Sequence, residues 1–70
     1  MKAQKIELTI IMPVYNAQAY LSESIASILD QSFKNFEFLI IDDCSHDQSV
    51  NVIESFSDKR IRLIKNQQNL

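Results

Sequence analysis

Seventy residues with 46% apolar and 23% charged side chains make one small globular domain and exclude a disordered chain. A net charge of -2, with basic residues scattered rather than clustered, excludes the cationic footprint of a nucleic-acid binder, and no run approaches the ~20 apolar residues of a membrane span. The absence of glycine excludes a P-loop or a GxGxxG fingerprint, and the single Cys44 excludes an internal disulfide or a Cys-rich zinc site, which fits a reducing, cytoplasmic setting.

After a polar lead-in, Leu8-Thr9-Ile10-Ile11-Met12 is rich in β-branched residues and is expected to form a strand stopped by Pro13, which cannot donate to a central ladder. Pro13-Val14-Tyr15-Asn16 then reads as a loop, with Asn16 as the N-cap of the next element. Leu21, Ile25, Ile28 and Leu29 recur at helical spacing, predicting an amphipathic helix from about Ala17 to Gln31. A second strand is expected from about Phe36 to Ile41. A buried helix is the alternative there, but the run is short, β-branched and aromatic, and carries no 3.6-residue stripe.

That strand delivers Asp42, Asp43 and, after Cys44-Ser45-His46, Asp47 to its carboxyl end, where open α/β sheets bind ligands. Ser45-His46-Asp47-Gln48 has the S-x-x-Q form of a capping box, and Asp47 would complement the helix dipole, so a second helix is predicted from about His46 to Ser57. Asp58-Lys59-Arg60 reads as a turn, Ile61-Arg62-Leu63-Ile64 as a third strand, and Lys65 to Leu70 as a polar tail. The series β-α-β-α-β predicts an α/β fold: a parallel, Rossmann-like half-sheet of order 3-2-1, in one domain over residues 1–70 without internal boundary.

Strand alternation sends Asp42 and Asp43 in different directions, so one acid is expected to meet a ligand while the other braces the loop. Ser45 and Asp47 are explained by capping, whereas Asp43 is better placed to accept hydrogen bonds from a base or sugar. Diverging acids without a third ligand argue against a metal site. Nothing in the sequence orients His46 as a base or activates Cys44, which reads as a small apolar filler. Tyr15 is available to stack on a ligand ring, Tyr20 is expected beside the first helix, and Phe33, Phe36, Phe38 and Phe56 are assigned to the core.

Ile10-Ile11-Met12-Pro13-Val14-Tyr15-Asn16, Leu21, Ser27-Ile28-Leu29-Asp30-Gln31-Ser32-Phe33, Phe36-Glu37 and Ile40-Ile41-Asp42-Asp43-Cys44-Ser45-His46-Asp47, in that order and spacing, resemble the amino-terminal part of family 2 glycosyltransferases. The resemblance spans roughly residues 6–70 and implies a truncated half of a three-layer α/β/α GT-A domain. It implies a nucleotide-sugar donor and a glycan or other acceptor. Pro13, Tyr15 and Asn16 would lie against the donor nucleotide, with Asp42 beside Asp43 and Asp43 on the base. Cys44 stands where the family often has Gly or Asn, and His46 where Thr is frequent.

A divalent metal, Mg or Mn, is implied for the complete enzyme. Its Asp-x-Asp ligands, the catalytic base and the acceptor site are expected beyond residue 70, so the fragment itself is expected to be inactive. Self-association through the truncated sheet edge is expected too. The competing readings are a non-catalytic nucleotide-binding α/β module and an assembly domain, because half-sheets of this kind serve many functions.

Overall fold

The structure, a computed structural model, describes residues 8–67. In chain order it runs β1 (Thr9–Val14), α1 (Gln18–Leu29), β2 (Glu37–Asp42), α2 (Ser49–Glu54) and β3 (Ile61–Lys65). The strands are parallel in the order β1-β2-β3, which is the expected 3-2-1 arrangement with β2 central. Two crossovers of one hand that step in one direction place both helices on the same face of the sheet. Val14, Phe38 and Ile40 point to that face and enclose a core with Leu21, Ile25 and Ile53. The opposite face carries Ile11 and Ile64, both exposed, with Leu39 and Ile41 between them.

Several element bounds differ from the sequence expectation, each for a local reason. β1 does not stop at Pro13 but continues to Val14. Glu37 N–H donates to Leu8 O and Asp43 N–H to Val14 O, so the even-numbered residues of β1 face β2. The Pro13 nitrogen therefore points away from the ladder, where a missing N–H costs nothing to the pairing.

Helix α1 begins with Ala17 as its N-cap, not Asn16, because Asn16 adopts a left-handed φ of 48°. It ends at Leu29, whose carbonyl accepts a hydrogen bond from Arg60 Nη2 at 3.3 Å. Helix α2 is only six residues long, since the preceding Ser45–Gln48 stretch is engaged elsewhere and the expected capping box does not form.

Phe36 and Phe38 are buried and Phe56 packs against the core, as expected. Phe33, at 44% exposure, and Tyr20, at 62%, are instead solvent-facing. Phe33 lies in the α1–β2 connection, and Tyr20 falls off the Leu21–Ile25 stripe of α1.

Candidate functional site

Because β1 and β2 are parallel neighbours in register, with Val14 opposite Asp42, the loops leaving their carboxyl ends emerge side by side. The β1–α1 loop and the β2–α2 loop are fastened by hydrogen bonds running in both directions. Asn16 N–H donates to Ser45 Oγ at 2.9 Å, Ala17 N–H to Ser49 Oγ at 2.9 Å and Gln18 N–H to Asp47 Oδ2 at 3.2 Å. In return, His46 N–H donates to Asn16 Oδ1 at 2.8 Å and Gln48 N–H to Gln18 Oε1 at 3.1 Å. The amide of Gln18, the first residue of α1, and those of the two residues before it are thus held from the other loop rather than by their own sequence neighbours, which satisfies a donor that the helix start leaves open.

The two adjacent acids have separate tasks. Asp42 ends β2 on the helix-covered face at 2% exposure, and its oxygens accept from Ser45 N–H at 3.0 Å and Ser45 O–H at 2.5 Å. Its carboxylate holds the loop in shape. Asp43, half-buried just past the strand, accepts from Asn66 Nδ2 at 3.1 Å. Asp47 spans both helix starts, accepting Ser49 N–H at 2.9 Å as well as Gln18 N–H. Hydrogen bonding from Ser49 is the main cause that holds its carboxyl below the ordinary range, ahead of the opposing desolvation and the Gln18 amide.

Tyr15 projects from the first loop at 48% exposure, and its ring meets the His46 ring edge-on, with centroids 6.5 Å apart. Asp43 and Tyr15 therefore belong to two loops locked side by side at the same end of the sheet. Asn16 spends its backbone N–H and its side-chain oxygen on the second loop. Pro13 lies inside β1, opposite Ile41, rather than in the loop. Cys44 takes φ of 62°, a left-handed conformation where Gly or Asn is at ease, and its thiol donates to Gln67 O at 3.4 Å.

Sequence reasoning missed Gln18, Ser49 and Asn66. No local pattern marks Gln18 and Ser49, whose partners lie about thirty positions away along the chain. Asn66 had a usable signal, since it directly follows the third strand at the ligand-binding end of the sheet.

A cavity of about 890 Å³ lies at the opposite end of the strands, between Lys34–Glu37 and Ser57–Arg62. Arg60 occupies its wall, forked onto Asp58 and lying over the Phe36 ring at 4.6 Å. It contains none of the acids discussed above, and its two arginines are bonded within the scaffold, Arg60 to Asp58 and the Leu29 carbonyl and Arg62 to Glu37.

The profile described as Glycosyl transferase family 2 matches residues 9–70. The chain belongs to this family. An uncharacterized glycosyltransferase of Haemophilus influenzae is 48% identical over 58 residues, covering 80% of this chain and 23% of that protein. The Escherichia coli protein named UDP-Glc:alpha-D-GlcNAc-diphosphoundecaprenol beta-1,3-glucosyltransferase WfgD is 45% identical over 60 residues, covering 86% and 24%. S. aureus TarS, solved in complex with UDP-GlcNAc, superposes with a TM-score of 0.83 at 30% identity, covering 90% of this chain and 19% of that one. The chain thus spans about a quarter or less of the length of these family members.

The divalent metal implied by the family finds no fit among residues 8–67. Both Asp42 oxygens are committed to Ser45, and the described residues contain no group of three or more His, Cys, Asp or Glu suited to an ion. Nor is any described helix long and apolar enough to cross a membrane.

Proposed function

We propose that this chain is the donor-nucleotide-binding segment of a glycosyltransferase that moves a sugar from a uridine diphosphate donor to a glycan or lipid-linked glycan acceptor. The observation that carries this reading is the rim at the carboxyl ends of β1 and β2, where two loops bonded to each other carry Tyr15 and Asp43 at the same end of the sheet. Tyr15 offers an exposed aromatic face for the base, and Asp43 a carboxylate acceptor for a base N–H. Asp42 and Asn16 serve the same site by fixing the loops, and Pro13 by carrying β1 straight into it.

The choice of uridine is supported by the UDP-linked sugars of WfgD and of the TarS complex, and the acceptor class by the diphosphoundecaprenol-linked acceptor of WfgD. Polysaccharide assembly at the cytoplasmic side, where nucleotide sugars are made, belongs to the same proposal. Residues 8–67 supply binding and orientation of the nucleotide. No step of sugar transfer is assigned to them, and a divalent ion on the diphosphate would have to be held by other groups.

The test is nucleotide release from a panel of nucleotide sugars by the full-length protein with lipid-linked and free glycan acceptors. UDP release that depends on acceptor supports the reading. Release confined to donors of another nucleotide, or none across the panel, overturns it.

A further inference from the structure

Residues that follow β3 build a third wall of the rim. Asn66 closes the β2–β3 ladder by donating its backbone N–H to Asp42 O at 2.8 Å, and its Nδ2 donates to Asp43 Oδ1 at 3.1 Å. One residue thus holds the main chain of the first acid and the carboxylate of the second. A carboxylate at the end of a strand turns easily about its terminal torsion, which has broad wells. To meet one N–H of a planar base at a good angle, its plane has to be fixed beforehand.

We infer that Asn66 is a positioning residue for nucleobase selection: by holding Asp43 Oδ1 it sets the plane of the carboxylate that reads the base. The inference rests on the assignment of Asp43 as the base acceptor. A fixed carboxylate rewards a ring N–H, as in uracil, and is repelled by a ring-nitrogen lone pair at the same position, as in cytosine. Asn66 therefore acts on discrimination between the two pyrimidines more than on affinity for nucleotides in general. Its backbone bond to Asp42 does not depend on the side chain, so substitution leaves the ladder in place.

The experiment titrates UDP and CDP calorimetrically into the full-length protein, its Asn66→Ala and Asn66→Asp variants, and Asp43→Asn. Asn66→Ala should weaken UDP about tenfold, the worth of one hydrogen bond to a charged group, and leave CDP unchanged. Asn66→Asp, isosteric but placing a second carboxylate against Asp43, should weaken UDP further. Equal weakening of UDP and CDP, or a lowered melting temperature with the UDP to CDP ratio intact, overturns the inference by making Asn66 purely structural. Asp43→Asn separates the two levels. If it keeps parental UDP affinity, the assignment of Asp43 fails and the inference with it. If it weakens UDP while Asn66→Ala does not, Asp43 reads the base without help from Asn66 and only the inference falls.

Discussion

Ser45→Ala probes the fastening of the two loops where it meets the buried Asp42 carboxylate. The hydroxyl donates to Asp42 Oδ1 at 2.5 Å and accepts Asn16 N–H at 2.9 Å. Asp42 is 2% exposed, so water does not replace the lost donor, and a missing hydrogen bond to a buried charge costs roughly 1.5–3 kcal/mol. Asn16 is exposed, so water takes over its amide and that loss adds only a few tenths of a kcal/mol. The remaining bond from Ser45 N–H to Asp42 Oδ2 keeps the carboxylate partly satisfied.

A local loss of about 2–3 kcal/mol should speed amide hydrogen exchange at Asn16–Gln18 and Ser45–Ser49 roughly 30- to 150-fold, without a matching change in the β2 amides. Exchange read by mass spectrometry on the full-length protein resolves the two regions. If the loop amides of Ser45→Ala exchange within threefold of the parent, the loops are not held by this hydroxyl. The cross-capping argument then fails.

Cys44 sits at a left-handed φ without glycine's freedom, so Cys44→Asn should raise stability by about 0.5–1 kcal/mol and β-branched Cys44→Val should lower it by more than about 1 kcal/mol. Melting temperatures in the reverse order would contradict the strain. Arg60→Ala removes a fork onto Asp58, bonds to the Leu29 and Lys34 carbonyls and the contact with Phe36, at a cost of about 2–3 kcal/mol in urea unfolding. Arg60→Lys should recover less than half of it, because an ammonium cannot make the fork. Asp58, held down from 3.8 to about 2 chiefly by its hydrogen bonds with Arg60, contributes stability that is complete above about pH 3.8 and disappears as the pH falls through about 2. That contribution is on the order of 1–2 kcal/mol after allowance for partial exposure, and a gap in melting temperature between parent and Asp58→Asn that stays constant across this acid range would refute it.

The sequence made the fold readable because its apolar pattern is strong wherever burial is complete. Leu21 and Ile25 on one helix stripe and Phe38 and Ile40 on one strand face led to the right elements and the right sheet order. What failed was local chemistry at the ends. Asn16, Ser45 and Asp47 are good capping residues by type, and local rules assign each to its nearest helix. In the structure all three bond across the gap between two loops about thirty residues apart in the chain, a pairing that exists only once β1 and β2 lie side by side, and Asp47 alone also holds the start of its own helix through the Ser49 N–H.

Pro13 misled in the same way. A proline stops a strand only when its nitrogen faces a partner, and that parity is set by the register with β2. The divergence of Asp42 and Asp43 was legible from strand alternation alone, and the burial of Asp42 bears it out. Asn66 was passed over as part of a polar tail, although its place directly after β3 sets it at the same end of the sheet as the acids.

The account turns on Asp43 as the acid that meets the nucleotide, and calorimetric titration of UDP into the full-length protein and its Asp43→Asn variant tests it most directly. The substitution keeps shape and size while removing the charge and one acceptor, so UDP affinity should fall by roughly 1–3 kcal/mol, about five- to 150-fold, with the melting temperature nearly unchanged. An Asp43→Asn protein that melts lower but binds UDP as tightly as the parent would show the acid to be part of the scaffold and contradict the account.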